Sequence, residues 1–185
     1  MTWIPLKKRN ADFNIHAQGI MMNNHYMSGT EKIKTIFVDS GTTFTYVSTH
    51  IYNIIKTHFN WFCELDTENH CKGTRDFSKK GYLCFSYDEE LYSDGPKEYF
   101  KSFPILRFLA GSTENQADET TYSINWFPSE YLYRDQTDRY CVAMDVSEQS
   151  YMTFGGTIMR QHNYVFDIDN NQLGIAHARC SKDPN

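Results

Sequence analysis

Ile36-Phe37-Val38-Asp39-Ser40-Gly41-Thr42-Thr43 is the stretch on which the reading of this chain turns. Ile36 to Val38 reads as the end of a fully buried strand, because a short apolar run bounded by turn residues marks a strand covered on both faces. It runs straight into an acid. A carboxylate in such a place has to be hydrogen-bonded or share a proton, since an isolated buried charge costs more than a fold can spare. Gly41 lets the backbone come close enough for its N–H to face the carboxylate. Ser40 and Thr42 bring hydroxyls able to donate to it. The stretch therefore reads as a seat for one functional carboxyl, that of Asp39. A second reading stands beside it: an Asx-type turn between two strands, in which Asp39 serves only its own backbone.

Outward from this point the pattern is mainly β. Upstream, Phe13, Ile15 and Ala17 alternate with polar neighbours before Gly19, which predicts a half-buried strand. Asn23-Asn24 and Ser28-Gly29 mark the turn into a strand over Lys32 to Val38. Downstream, Phe44 to Val47 continues as a strand. Ser48 or Thr49 then caps a helix whose Ile51, Ile54, Ile55, His58, Phe59 and Phe62 share a face. The stretch from Asp66 to Lys80 is polar and turn-rich. Further strands are expected over Tyr82 to Tyr87, Ile105 to Leu109, Thr121 to Ile124, Tyr140 to Asp145, Tyr151 to Phe154, Tyr164 to Ile168 and Gln172 to His177, with a loop from Ala110 to Glu119. Trp126, Phe127, Tyr131 and Tyr133 read as core and cleft wall. Asp167-Ile168-Asp169-Asn170-Asn171 lacks the glycine and terminal glutamate of a calcium loop and reads as a hairpin turn.

Composition bounds the class. The chain has 185 residues, 40% of them hydrophobic and 16% aromatic, which excludes disorder and predicts one domain with a real core over 1–185. Net charge is −5 with no basic cluster, so nucleic acid is not an expected partner. No run of about 18 apolar residues exists to span a membrane. Met1 to Arg9 lack the apolar region of a signal peptide and read as a strand in progress, so the chain is expected to begin mid-protein.

Taken together, four segments resemble the second lobe of the pepsin-like aspartic proteases. Ile36 to Thr43 resembles the active-site signature of that lobe, and Thr49 to Phe62 the short helix that follows it. Met152-Thr153-Phe154-Gly155-Gly156-Thr157-Ile158-Met159 resembles the apolar-apolar-Gly element that threads through the catalytic loop. Asn163 to Asp167 with Gln172 to Ala176 is similar to the closing hairpin. The resemblance covers nearly the whole chain but only half a protease. It implies a mainly β fold, one lobe of the bilobal acid protease, with closed or sandwiched sheets and a few short helices. It implies an endopeptidase that acts on peptide or protein substrates, without metal or cofactor. Asp39 would be the catalytic residue, Ser40 would join the network between lobes, Thr42 would hold the outer carboxyl oxygen, and Gly41 and Thr43 would face substrate. No second Asp-[Ser/Thr]-Gly is present; Ser93-Asp94-Gly95 lacks the order and the apolar run. The missing first lobe is therefore an expected partner. Two alternatives stay open: a half-length protease that works as a homodimer, and a binding module that keeps the fold without the chemistry.

Five cysteines point to an oxidising compartment, hence the secretory or endolysosomal route or the extracellular space. Cys84 and Cys141 lie in separate strand-like segments, and their contexts resemble the lobe-internal disulfide of membrane-anchored pepsin relatives. Cys63 and Cys71 bracket a short polar loop and are placed to pair locally. Cys180 is left over, and in several such relatives the corresponding cysteine bonds back to the chain before the second lobe. A rival reading joins His58, Cys63, His70 and Cys71 as metal ligands, at spacings that match no common zinc pattern.

Overall fold

The computed structural model describes residues 1–7, 12–65, 70–111 and 120–178. Cys180, the tip of the expected 110–119 loop and the start of the polar 66–80 stretch lie outside these residues.

From the N-terminus, β1 (Thr2–Pro5) is followed by β2 (Asn14–Met22) and the two-residue β3 (His25–Tyr26). A single 3-10 turn over Thr30–Lys32 leads to β4 (Thr35–Val38), which ends at Asp39. Then come β5 (Thr45–Ser48) and α1 (Thr49–Leu65). The middle of the chain forms β6 (Arg75–Asp76), β7 (Cys84–Ser86), α2 (Lys97–Lys101), β8 (Leu106–Gly111) and β9 (Tyr122–Trp126). The last third gives α3 (Pro128–Tyr131), β10 (Leu132–Gln136), β11 (Arg139–Val142), β12 (Met144–Ser147), β13 (Met152–Phe154), α4 (Gly156–Met159), β14 (His162–Asp167) and β15 (Gln172–His177).

Three sheets result among the described residues. The largest runs β12-β5-β13-β4-β2-β8-β9, with β3 paired to β2. A second runs β10-β11-β7-β6, and a third joins β1, β15 and β14. The fold is thus mainly β with a few short helices. Its core is a single cluster in which Trp126, Tyr131, Phe59, Phe85, Phe108 and Phe154 are fully buried. Helix α1 closes one side through Ile51, Tyr52, Ile55 and Phe59. Of the expected face, Ile54 and Phe62 pack only partly, and His58 is half-exposed with its ring nitrogen 2.9 Å from the Ile54 carbonyl. Tyr52 takes the buried place instead, its hydroxyl donating to the Gly81 carbonyl at 2.6 Å.

Two expected strands differ in a way that matters for the site. The strand expected from Lys32 starts only at Thr35, because Thr30 folds a helical turn and buries its hydroxyl between the Met27 carbonyl and the Ile20 N–H. The strand expected over Tyr140 to Asp145 is two. Ala143 breaks it: its N–H goes to the Tyr131 carbonyl and its carbonyl accepts from Thr45 N–H, so the chain leaves one sheet and joins another.

Candidate active site

Strands β4 and β5 are consecutive in the chain, yet they are not neighbours in the sheet. Strand β13 lies between them, parallel to β4 with Phe154 opposite Val38, and antiparallel to β5 through Thr153 and Tyr46. Residues 39–44 therefore span the width of an intervening strand, roughly two inter-strand spacings or ~10 Å. The turn is pinned to that strand and its continuation. Asp39 N–H donates to the Phe154 carbonyl at 3.0 Å, Gly156 N–H to the Thr42 carbonyl at 2.7 Å, and Thr157 N–H to the Thr43 carbonyl at 3.0 Å. Gly155 makes the approach possible. A Cβ there would sit 2.3 Å from the Phe44 carbonyl oxygen and 2.7 Å from that of Thr42.

Within the turn the Asp39 carboxylate receives two donors. Gly41 N–H donates to Oδ1 at 2.9 Å, and the Thr42 hydroxyl to Oδ2 at 2.5 Å. The first of these is the Asx turn of the alternative reading; the second is more than an Asx turn provides. The two readings are thus one geometry. Ser40 differs from expectation: its side chain is exposed, and no hydrogen bond from it to Asp39 exists among the described residues. The strand end is also less buried than the apolar run suggests. Ile36 and Val38 face the core, but Phe37 is half-buried and meets Tyr151 edge-on at 6.1 Å. Asp39 itself is half-buried while Gly41 and Thr43 are exposed, so the carboxylate is oriented and open to one side.

Around the turn, Phe44 packs on Tyr133 with ring centroids 5.0 Å apart. Trp126 and Tyr131 belong to the core, Trp126 Nε1 donating to the Thr157 carbonyl at 3.2 Å and the Tyr131 hydroxyl to the Pro104 carbonyl at 2.6 Å. Two hollows of the described surface, of about 800 and about 720 Å³, do not have Asp39 in their walls.

Both proposed sulfur pairs are formed. Cys63 bonds Cys71, and Cys84 bonds Cys141 between β7 and β11. The metal reading of His58, Cys63, His70 and Cys71 is overturned, because the first disulfide takes both thiols; His70 instead stacks on Phe62 at 4.2 Å. The Asp167 turn is a hairpin end: its carboxylate accepts from Asn170 N–H, the Asn170 amide and the Gln172 amide.

One functional candidate was not visible in the residue pattern. Glu130 is 1% exposed on α3, and its Oε2 accepts the Phe127 N–H at 2.9 Å. Burial pushes its carboxyl up to about 7, against the Phe127 N–H and the Arg160 guanidinium. A Ser or Thr three residues before a glutamate would have advertised the capping spacing; here that place is held by Phe127.

An aspartate on a turn stretched over an inserted strand, within this three-sheet arrangement, defines a pepsin-like C-terminal lobe. The chain belongs to the xylanase inhibitor C-terminal family, whose profile matches residues 12–177. It is similar to plasmepsin V of Plasmodium falciparum isolates 3D7 and NF54, at 25% identity over 167 residues that cover 78% of this chain and 27% of the relative. The plasmepsin V of a third isolate of that organism matches at the same identity. The chain therefore spans about a quarter of the length of these curated relatives.

Proposed function

We propose that this chain is the second catalytic lobe of an aspartic-type endopeptidase, contributing Asp39 to a pair of carboxyls that activate water for peptide-bond hydrolysis. One observation carries the reading: the Asp39 carboxylate is fixed from within by the Gly41 N–H and the Thr42 hydroxyl while its open side faces solvent. Fixing both oxygens is what a reacting carboxylate needs, because a misplaced group loses much of its catalytic power. Two such carboxyls held close cannot both ionise, so they share a proton. The ionised one takes a proton from water as that water attacks the scissile carbonyl. The protonated one donates to the carbonyl oxygen. The second aspartate comes from a first lobe carrying the matching Asp-Thr-Gly or Asp-Ser-Gly, and the cleft forms between the two. The substrate is a peptide or protein. The two disulfides support an oxidising setting, on the secretory or endolysosomal route or outside the cell.

Asp39→Asn in the full-length protein tests this. The expected result is loss of acid peptidase activity with unchanged thermal unfolding; retained turnover sinks the assignment. The competing reading is a binding module. It draws on the family's name, that of an inhibitor, and on the Asx turn that satisfies Asp39 locally. It requires tight binding of a partner that survives Asp39→Asn and no peptide cleavage by the unmodified protein.

A further inference from the structure

We propose that the hollow bordered by α1, α2 and α3 is a binding site for a small amphiphilic anion, an organic acid with an apolar body and one charged head. The inference goes beyond the endopeptidase reading and does not rest on it.

The hollow has a volume of about 720 Å³, inside the range of about 300–1,000 Å³ usual for small-molecule sites. Its inner wall is apolar. Phe103 and Pro128 are buried, and Phe62, Phe100, Ile105 and Phe127 are half-buried against the open space. They come from separate parts of the chain: α1, α2, the approach to β8 and the start of α3. Loop positions in this wall are held. Asn23 N–H donates to the Ile105 carbonyl at 2.8 Å, and Ile105 N–H donates back to Asn23 Oδ1 at 2.9 Å. Phe62 is backed by the His70 ring, stacked on it at 4.2 Å. A wall already formed spares a ligand the cost of ordering it.

The mouth is polar. Its exposed residues are Lys97, Lys101, Ser129, Gln161 and His177. Among the described residues, no exposed large hydrophobic side chain stands there. That decides the kind of occupant. A membrane or a flat protein partner docks on apolar groups at the surface. Here the apolar groups lie behind a polar rim, where only a ligand that enters can reach them. The hollow of about 800 Å³ is the contrast, with Phe77 73% and Leu91 71% exposed in its wall.

Charge complementarity sets the head group. Lys97 and Lys101 are four residues apart on α2 and therefore share a face. Lys97 makes no hydrogen bond or ion pair among the described residues. Lys101 pairs with Glu98, but these side chains are 60% and 63% exposed, so water screens the pair and an incoming anion can compete for the lysine. The one acid in the wall is Glu130, 1% exposed, with Oε2 accepting the Phe127 N–H. An acid at that depth, ionised or not, brings no positive charge to meet an anionic head. The apolar body therefore enters first and the head stays with the lysines at the mouth.

The test titrates anilinonaphthalenesulfonate, an aromatic sulfonate that fluoresces on leaving water, into the full-length protein. Dodecanoate then displaces it, both below micelle-forming concentrations, with dodecylammonium as the control of equal tail and opposite charge. Saturable one-to-one binding is expected, with dodecylammonium displacing the probe at least about tenfold less well than dodecanoate. Lys97→Glu with Lys101→Glu changes only exposed residues and is expected to weaken the sulfonate at least about tenfold. Ser129→Trp crowds the mouth and is expected to remove binding. Equal displacement by the two amphiphiles overturns the proposal, as does undiminished binding in either variant. So does the absence of saturable binding, or binding only to vesicles that carry dodecanoate. Should the variants not fold, the methyl ¹³C shifts of Ile105 in the unmodified protein decide: they are expected to move with the binding isotherm, and shifts that stay fixed overturn the site. In Asp39→Asn the binding is expected unchanged, so failure of the peptidase reading leaves this one standing.

Discussion

At Thr42 one residue does two things: its hydroxyl donates to Asp39 Oδ2 and its carbonyl accepts from Gly156 N–H. Thr42→Val keeps the shape and the carbonyl but loses the donor. A hydrogen bond to a charged group is worth about 1.5–3 kcal/mol, so kcat is expected to fall about tenfold to a hundredfold, with Thr42→Ser restoring most of it. Steady-state kinetics beside a thermal melt checks this; equal activity of the valine and serine variants would remove Thr42 from the site. Gly41→Ala should act through the same carboxylate, since the added Cβ would stand 3.2 Å from Oδ1. At Gly155 the obstacle is backbone, which cannot rotate aside, so Gly155→Ala is expected to cost about 1–3 kcal/mol and to displace the turn from α4. A urea midpoint unchanged in that variant contradicts the close approach. The roles of Gly41 and Thr42 were legible because they sit within three positions of Asp39, where chain geometry leaves few alternatives. Glu130 was not, because its burial depends on Phe127, Arg160 and His162, which only the folded chain brings round it.

The Cys84–Cys141 bridge joins β7 to β11, elements already paired in register across Cys141 and Cys84. It closes a loop with a sequence separation of 57, worth about 4 kcal/mol in the chain-entropy treatment. Cys84→Ser with Cys141→Ser is expected to lower the unfolding free energy from denaturant titration by that order without altering the fold. The shorter Cys63–Cys71 loop, with a separation of 8, should give about 2.5 kcal/mol; a larger loss from the shorter loop would contradict the loop-closure origin. Helix α1 and the hairpin β14–β15 were readable because their apolar spacing and turn residues are local. The split of β11 from β12 was not. Ala143 is apolar like its neighbours, and it breaks the strand only because Tyr131 and Thr45 claim its two backbone groups. Strand β10 likewise hides behind Tyr133, Arg134 and Asp135, whose charges suggest a loop until Arg139 and Lys79 arrive to pair with Asp135.

Over the whole molecule, two sets of carboxyls pull stability in opposite directions with pH. Asp76 is pulled down to about 2 by the Ser78 N–H and hydroxyl and then by Arg139. Asp135 is lowered by Lys79 and Arg139, and Asp167 by Gln172 and Asn170. Groups lowered in this way stabilise above their unfolded values and lose that contribution as pH falls through the folded ones. Glu130 does the reverse, losing its contribution between its usual 4.5 and about 7. Stability is therefore expected to peak at mildly acid pH and decline on both sides. Arg139→Leu should erode the acid side and Glu130→Gln flatten the neutral side; a thermal midpoint that rises steadily from about pH 4 to about pH 8 would contradict the Glu130 assignment, and one that holds constant as pH drops from about 4 to about 2 would contradict that of Asp76. The insertion of β13 between β4 and β5 has a consequence in time. A ribosome releases β4, Asp39 and β5 together, but the strand that must hold them apart follows only after β12. Until Met152–Phe154 arrive, nothing stretches residues 39–44, and adjacent strands with a free edge close on each other. The nascent chain carries its acid long before it carries the strand that pins the turn, so a premature stop anywhere ahead of β13 is expected to leave Asp39 on an unpinned turn.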